Sequence, residues 1–385
     1  MPKDEFPGVF VEEVSFRARP IEGVSTSVVA FVGFADAGPN IPTKITGFAD
    51  YCVAFGERVT GYLHHAVRGF FENGGTCCYV LGLPSPKTKA KSTASKGRSV
   101  SSVGSSQKLH SADVAKLLAP LEEVKDIANV CCPDEHAIPG MTGALANRCE
   151  ARRDRIAILA APLGSDLSAA PPREAQSTYA AYYAPWVKVA GPKGSAAITV
   201  HPGGHIAGAI AANDARRGVY KAPTNIVIKG LVGLERNITA KQQDALNPRG
   251  VNVLRKFPER GIRVCGGRTS SSDPAWKYIN IRRYFIYLEQ SIDRGTQWVA
   301  FEPNGDQLWG NVRRTVEDFL FNEWKSGALQ GDKPDKAYFV RCDRTTMTQN
   351  DLDNGRLVCL IGVAPVKPAE FVIIRIGQWT ADHKT

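Results

Sequence analysis

The residues best suited to chemistry in this sequence are histidines that fall in short clusters. His201 and His205 lie four positions apart, a spacing that zinc ligands can use. The intervening Pro202-Gly203-Gly204 interrupts any helix between them, and no HExxH motif accompanies them. The adjacent His64 and His65 would point to different faces of a helix. These histidines therefore predict packing or surface roles, and we expect no metal site.

The cysteines and a short acidic turn complete the search for ligands. Nine cysteines are an odd number, and the adjacent pairs Cys77-Cys78 and Cys131-Cys132 match neither a disulfide framework nor CxxC zinc spacing. They indicate buried thiols. Asp351 and Asp353 resemble a calcium loop only loosely, because the distal glutamate is missing from the required position. A polar turn is the favoured interpretation of this segment.

The motifs of common enzyme classes are also missing from the sequence. The glycine-rich stretch Thr199 to Gly208 is neither GxGxxG nor a P-loop, and no GxSxG occurs. We therefore expect no cofactor and no catalytic site. The alternative, a cytoplasmic α/β enzyme of unknown substrate, would gain support from a deep pocket lined by converging titratable groups.

Charge raises a second alternative, a nucleic-acid-binding protein, because the net charge is +10. Six basic residues and no acidic residue lie in the Ser/Lys-rich tract Pro84 to Lys108, which also lacks Phe, Tyr and Trp for base stacking. We interpret this tract as a flexible surface loop. A nucleic-acid role would instead predict salt-sensitive DNA affinity that disappears when the tract is deleted. We expect no nucleic-acid partner.

Localisation follows from hydropathy. The N-terminus lacks the apolar run of a signal peptide, and no stretch approaches 18 uninterrupted apolar residues. We expect synthesis and folding in a reducing cytoplasm, without membrane insertion. The hydrophobic content of 43% is enough for a sizeable core.

The elements that must position these residues alternate between strands and helices in the first half of the chain. Periodicity predicts strands at Val28 to Gly33, Cys77 to Leu83 and Ile156 to Ala161, with helices at Gly61 to Asn73 and Asp113 to Leu121. The aromatic residues of the segment Ser177 to Trp186 have near-helical spacing and predict core packing; they are Tyr179, Tyr182, Tyr183 and Trp186.

The C-terminal part predicts a compact α+β unit. Asp273 and Pro274 would begin a long helix ending near Gly295, with an apolar stripe formed by Tyr278, Ile281, Phe285, Leu288 and Ile292. A buried strand is predicted at Trp298 to Phe301 and a second helix at Asp306 to Ser326. The predicted inward residues of the second helix are Leu308, Val312, Val316, Phe319 and Leu320. Strands at Ala337 to Cys342 and Arg356 to Ala364 would follow.

Two extended arms flank this body. The segment Ala369 to Trp379 is a strong strand pattern that follows the stiff Pro365-Val366-Lys367-Pro368, and Pro7 to Val14 is a similar short strand. Such arms can add strands to a sheet edge in a neighbouring molecule. The predicted N-terminal arm residues are Val9, Phe10, Val11 and Val14; the C-terminal ones are Phe371, Val372, Ile373, Ile374 and Ile376; the acceptor strand carries Leu357, Cys359, Ile361 and Val363.

Charged helix faces are further candidates for contacts with partners in an assembly, such as another subunit. Arg313 and Arg314 have acidic residues four positions on, which can balance their charge. Arg282 and Arg283 have Ile286 and Tyr287 there instead. We therefore expect subunit contacts at Arg282 and Arg283 first; an intramolecular pair or plain solvation is the alternative.

Several of these segments together resemble the tail sheath proteins of contractile phage tails and related contractile injection systems. The segments that carry the resemblance are Pro7 to Val14, Arg19 to Ser27, Asn247 to Asn252, Gly261 to Val264, Ser272 to Asn280, Gln297 to Asn304 and Gly362 to Pro365. The middle, including His201 to Asn225, looks like the outer domain of that family. The Lys/Ser tract is an insertion relative to the pattern.

The resemblance implies a structural protein with no enzymatic activity, related to phage, injection-device and R-type pyocin-like sheaths. It implies a mixed α/β fold with an inserted outer domain at 24–250, an inner domain at 251–367 that combines both chain ends, and arms at 1–23 and 368–385. Its implied partners are copies of itself in stacked hexameric rings, an inner tube protein, and baseplate and terminal cap proteins. Assembly in the bacterial cytoplasm would precede incorporation into a tail-like particle.

Overall fold

The computed structural model describes residues 20–57, 59, 61–84, 111–192 and 195–370. These residues form two compact units with mixed α/β structure. The larger unit contains Gly23–Gln290 and residues 365–370, and the smaller contains residues 20–22 and Ser291–Ala364.

The larger unit is built on an eight-stranded sheet and a three-stranded sheet. Its strands are β1 Val29–Ala35, β2 Thr43–Ile45, β3 Cys78–Pro84, β4 Asn129–Cys131, β5 Ile156–Ala160, β6 Ala180–Ala184, β7 Val187–Val189, β8 Ile198–Val200, β9 Leu231–Leu234, β10 Val251–Phe257 and β11 Gly261–Val264. The large sheet has the order β11-β10-β6-β5-β4-β1-β3-β2 and is parallel except for its two edge strands. Strands β8, β7 and β9 form the smaller antiparallel sheet.

The central strands are buried on both faces, as continuous apolar runs in a parallel sheet require. Helices pack around the sheet. They are α1 Phe48–Phe55, α2 Leu63–Glu72, α3 Ser111–Leu118, α4 Met141–Arg152, α5 Gly203–Arg217, α6 Ala240–Leu246 and α7 Ile279–Gly295. The apolar stripe of α2 faces the core, where Leu63, Val67 and Phe70 are fully buried.

Helices α2 and α5 approach unusually closely because glycines line their contact. A β-carbon at Gly204 would overlap the backbone of Ala66, and one at Gly208 would overlap the carbonyl oxygen of Phe70. The missing side chains let the two backbones touch. This explains why the sequence from Pro202 onward is glycine-rich without being a nucleotide-binding loop.

The smaller unit combines helices with a two-stranded sheet. Its elements are α8 Asp306–Lys325, α9 Pro334–Ala337, β12 Tyr338–Arg341, α10 Gln349–Asp353 and β13 Leu360–Val363. Leu308, Trp309 and Val312 of α8 form an apolar cluster with Cys342 and Met347. Ile21 is buried, and its side chain lies against Gly295.

Most predicted elements are confirmed. Strands β1, β3 and β5 and helices α2 and α3 lie where periodicity places them, and α8 buries all five residues predicted to face inward. The aromatic cluster is buried as expected, but Tyr182 and Tyr183 lie on strand β6 and not on a helix.

Three predictions are wrong in position or type. The predicted strand at Trp298 to Phe301 is instead a 3-10 helix, Gln297–Val299, followed by a turn with Phe301 exposed, because Pro303, Asn304 and Gly305 leave no room for a strand before α8. Helix α7 begins at Ile279, since Tyr278 still forms a β-bridge with Arg268. The two units divide near Gln290, not Gly250, because Val251 pairs with Tyr182 in the large sheet.

The close crossing of α2 and α5 yields a stability prediction. Gly204→Ala should destabilise the larger unit by about 1–3 kcal/mol, since the new methyl group overlaps backbone that cannot rotate away. The matched control is Gly233→Ala, whose β-carbon would meet the Lys188 side chain at an ordinary 3.8 Å; its effect should stay within about 0.5 kcal/mol. Denaturant unfolding followed by circular dichroism measures both, and equal stability of the two variants would contradict the crossing.

Candidate functional site

The predicted arm residues lie outside the residues that the structure describes. This holds for Val9, Phe10, Val11 and Val14 and for Phe371, Val372, Ile373, Ile374 and Ile376. What the structure does describe is the predicted acceptor strand and residues 365–370, which precede the predicted C-terminal arm residues.

The predicted acceptor strand is shorter than the sequence indicates. Ordered pairing covers Leu360–Val363, which runs antiparallel to β12 with Ile361 opposite Val340 and Val363 opposite Tyr338. Leu357 and Cys359 precede the strand and pack against the apolar cluster on α8. Within the described residues, β13 has one paired edge, the one against β12.

The direction of the backbone groups on β13 follows from the register. The N–H of Ala364 donates to the carbonyl oxygen of Ala337 directly opposite, at 2.8 Å. Because hydrogen-bonded and non-hydrogen-bonded pairs alternate along an antiparallel ladder, Leu360 and Gly362 also bond toward β12. The N–H and C=O groups of Ile361 and Val363 therefore point toward the other edge, where an added strand could bond to them.

One face of this small sheet is apolar and accessible. Phe339 is 46% exposed and Leu360 is 50% exposed, and both lie on the face opposite to Val340. A β-carbon at Gly362 would overlap the ring of Phe339, so the glycine makes room for that ring across the pair. Arg341 lies beside this apolar surface, with its guanidinium carbon 5.4 Å from the centre of the Phe339 ring.

The C-terminal segment is held to the larger unit by Glu370, the last described residue. Arg268 makes two hydrogen bonds to its carboxylate, Nε to Oε1 and Nη2 to Oε2, each 2.7 Å long. Asn247 Nδ2 donates to Oε1 at 2.8 Å and the Tyr278 hydroxyl to Oε2 at 3.1 Å. Lys277 Nζ lies 3.8 Å away. We call this set of contacts the Glu370 anchor.

The anchor is rigid because Arg268 is itself fixed to the large sheet. Its backbone N–H donates to Asn252 Oδ1 at 2.8 Å, and its carbonyl accepts from Asn252 Nδ2 at 2.7 Å. Asn252 is fully buried on β10. A bidentate guanidinium-carboxylate pair that is mostly shielded from water is strong and directional.

Protonation of Glu370 would release the anchor. Burial alone acts to raise the pKa of Glu370, but hydrogen bonds from Arg268 and Asn247 outweigh it and hold the pKa below its ordinary value of 4.5. The anchor is therefore fully present above pH 4.5 and is lost as the pH falls through the lower pKa of the folded protein.

A groove of about 590 Å³ runs beside the anchor. Thr224, Gln243, Asn247 and Gly267 contribute to its lining, together with Pro368 and Glu370 of the C-terminal segment. The carboxylate of Glu370 is committed to its hydrogen bonds, so it fixes the chain and is not poised for acid-base chemistry.

The prediction that Arg282 and Arg283 face another subunit is wrong. Arg283 pairs with Asp214 through two hydrogen bonds of 3.0 and 2.5 Å and donates to the carbonyl of Thr26, and its side chain is 3% exposed. Arg282 is buried with its guanidinium 3.4 Å from the centre of the Trp276 ring. Asp214 lies 69 positions from Arg283 in sequence, which is why helical spacing alone misses that ion pair.

Arg313 and Arg314 remain candidates for contacts in an assembly. Both are exposed on α8. Arg313 Nε lies 4.0 Å from Glu317 Oε1, and the two side chains are 47% and 43% exposed. A pair with this exposure contributes little stability, so the guanidinium stays available to a partner.

The histidines have structural roles that their spacing does not reveal. His201 precedes α5; its Nδ1 accepts from the N–H of Gly203, so Nε2 carries the proton and donates to Glu135 at 3.1 Å. Glu135 also accepts from the backbone of Ala160 at 2.8 Å. His205 is buried with its ring against Gly69. Throughout the described ranges, His, Cys, Asp and Glu do not gather into a group of three or more able to hold a metal ion.

A helix that spans a bilayer needs about 20 predominantly apolar residues. Among the helices of the described ranges, none is both long enough and apolar enough to span a membrane.

Two family models match adjoining parts of the sequence. The phage tail sheath protein central domain matches residues 107–270, and the phage tail sheath C-terminal domain matches residues 271–378. A curated relative, a prophage major tail sheath protein of Pseudomonas aeruginosa (strain UCBPP-PA14), is 24% identical over 400 residues that cover 98% of each chain.

Solved structures extend the similarity to the whole chain. The helical sheath of the anti-feeding prophage in its contracted state is 32% identical, with a TM-score of 0.80 over 97% of this chain and 99% of that one. The contracted PVC sheath complex of an extracellular contractile injection system is 27% identical, with a TM-score of 0.78 over 98% and 99% of the two chains. Because sequence and fold agree along nearly the full length of these relatives, the chain belongs to the phage tail sheath protein family.

Proposed function

We propose that this chain is the structural sheath subunit of a contractile injection apparatus, polymerising as stacked hexameric rings around an inner tube. The observation that carries the proposal is the similarity to the contracted anti-feeding prophage sheath over 97% of this chain and 99% of that one. Baseplate and terminal cap proteins would bound the cylinder. Assembly would take place in the bacterial cytoplasm, before the sheath becomes part of a phage tail or tail-like particle.

Subunits would be joined by strand addition. The C-terminal arm leaves the Glu370 anchor of one copy and adds to β13 of another, where Ile361 and Val363 offer their backbone groups. Each ladder hydrogen bond contributes roughly 0.5–1.5 kcal/mol net. Burial of arm residues such as Phe371, Ile373 and Ile376 adds about 1.5–3 kcal/mol each. The N-terminal arm, Val9 to Val14, would make a second connection of this kind.

Contraction would then be a rearrangement of rigid bodies. A head-to-tail contact that does not close on itself generates a helical array, so one subunit type can build a long cylinder. The compact units keep their internal packing while their contacts with neighbours change, and the donated strands act as hinges. The free energy released by repacking drives the tube through a target envelope, and no nucleotide is needed for this step.

The arm can be tested by deletion of residues 371–385, which leaves the Glu370 anchor in place. We expect a folded monomer with an unchanged Tm that forms no cylinders in negative-stain electron microscopy. The longer deletion of residues 368–385 should also yield a soluble monomer, with a lower Tm because Arg268 loses its partner. Normal cylinders from either deletion would exclude strand donation by this arm.

The anchor itself is tested by Glu370→Gln, with Glu302→Gln as the control because Glu302 is exposed. Loss of the charged pair should cost about 1–3 kcal/mol at this site. We expect faster hydrogen exchange in residues 366–370 and fewer cylinders for Glu370→Gln, and wild-type behaviour for Glu302→Gln. Wild-type protection factors, which are the intrinsic exchange rate at each pH divided by the observed rate, should themselves fall below pH 4.5, as the pH falls through the lowered pKa of Glu370.

Unchanged exchange and assembly in Glu370→Gln would show that the C-terminal segment is held by other contacts.

A further inference from the structure

We propose that Cys342 and Cys359 form an intrachain disulfide when the folded chain meets a small-molecule disulfide such as oxidised glutathione. The proposal concerns a covalent cross-link between the two strands of the small sheet. It stands on the geometry of the smaller unit and is independent of the proposed sheath function.

Strand register brings the two cysteines together. Tyr338 pairs with Val363, and the ladder continues to Arg341 opposite Leu360. The paired strands end there, and the register continued by one residue on each strand puts Cys342, which follows β12, opposite Cys359, which precedes β13. The side chains also lie in the same place, since Cys342 belongs to the apolar cluster on α8 and Cys359 packs against that cluster. Both cysteines are present as free thiols in this structure.

The position in the ladder suits a disulfide. The Ala364 N–H bonds to the Ala337 carbonyl, so the pair Ala337 and Ala364 is a hydrogen-bonded one. Counting five steps from it, Cys342 and Cys359 fall at a non-hydrogen-bonded pair, where Cα atoms are about 4.5 Å apart and side chains are closest. That separation lies within the roughly 4.4–6.8 Å range found across disulfides.

The other cysteines show no comparable arrangement in the register of the described sheets. Cys78 begins β3 and Cys77 directly precedes it, so the two are sequence neighbours and not opposed across a ladder. Cys131 and Cys132 are likewise adjacent in sequence, and both are fully buried. Cys342 and Cys359 are the pair that directly flank the last opposed positions of two strands, Arg341 and Leu360.

The two thiols differ in exposure, so we expect the more exposed one to react first. Cys342 is 2% exposed and packs in the apolar cluster with Leu308 and Trp309, whereas Cys359 is half-buried. Burial raises the pKa of both thiols. The thiolate fraction is therefore small at neutral pH, so the reaction should be slow there and faster as the pH rises.

The chemistry is two successive thiol-disulfide exchanges. The Cys359 thiolate attacks one sulfur of oxidised glutathione, which breaks the glutathione S–S bond, forms a mixed disulfide and releases one glutathione thiolate. The Cys342 thiolate then attacks Cys359 Sγ, forming the Cys342–Cys359 bond and releasing the second glutathione. The two protons of the cysteine thiols end on the two glutathione molecules, and the protein dithiol is oxidised as one glutathione disulfide is reduced.

The cross-link would close the loop between β12 and β13 and tie the two strands together. A covalent bridge at this place lowers the conformational entropy of the unfolded chain, because the two strands can no longer separate fully. The thiols are reduced in a reducing cytoplasm, and a particle released from the cell would meet oxidising conditions.

Peptide mapping of the full-length folded protein tests the proposal. Trypsin cuts after Arg344 and Arg356, so the two cysteines lie in different peptides. After incubation with oxidised glutathione at pH 8 and blocking of free thiols, we expect one disulfide-linked pair of these peptides, lighter than their sum by two hydrogen atoms. The number of blockable cysteines should fall by two from nine.

Single substitutions test the order of the two steps. Cys342→Ser should accumulate glutathione on Cys359, because the second thiol is missing. Cys359→Ser should leave Cys342 unmodified, because that thiol is buried. The control Cys77→Ser removes another half-buried cysteine and should leave the cross-link intact.

Other outcomes would overturn the proposal. These are separate blocking of Cys342 and Cys359 in the oxidised folded protein, a disulfide from either of them to another cysteine or another copy of the chain, or a cross-link that appears only after denaturant unfolds the smaller unit.

Discussion

The ion pair between Arg268 and Glu370 fixes the last described residues of the chain to the larger unit, and the proposed assembly depends on it. These contacts continue into the core. Asn252 on β10 is hydrogen-bonded to the backbone of Arg268, and Arg268 is hydrogen-bonded to the carboxylate of Glu370. At the other end of this short segment, Ala364 is bonded to Ala337 and Gln330 in the smaller unit. Residues 365–370 are thus tied at both ends by contacts with well-ordered elements.

The sheets of the two units differ in how much of their edges is open to pairing with another strand. The large sheet ends in the short antiparallel strands β2 and β11, which limit the length of edge open to another chain. The small sheet has two strands, which are marginally stable by themselves, and β12 packs against α8 for support. Its exposed Phe339 and Leu360 and the outward backbone groups of Ile361 and Val363 make it suited to gaining a strand.

Local sequence patterns predict those helices and strands whose buried residues recur at a regular helical or strand spacing. Helix α8 shows an uninterrupted stripe and a glycine after its end, so its bounds and its core face could be predicted. Helix α7 begins later than Asp273 because the bridge between Arg268 and Tyr278, a contact between distant residues, competes with the helix. The turn at Trp298 looks like a strand because its apolar residues pack on the cluster of the smaller unit.

The site is harder to predict because its contacts join residues far apart in sequence. The acceptor strand could be placed from its alternation, yet its pairing with β12 decides which backbone groups are available. Glu370 is a single acid in an otherwise apolar stretch, and nothing local links it to Arg268. Arg283 has no acid one turn away, but Asp214 of another helix lies beside it in the fold.

A helical cryo-electron microscopy reconstruction of the assembled cylinder tests the central claim most directly. The account predicts density that continues from Glu370 of one copy into a strand formed by residues 371–385, hydrogen-bonded to Ile361 and Val363 of a different copy. Density that returns this segment to β13 of its own chain, or that leaves the edge of β13 without a strand from another copy, would contradict the account.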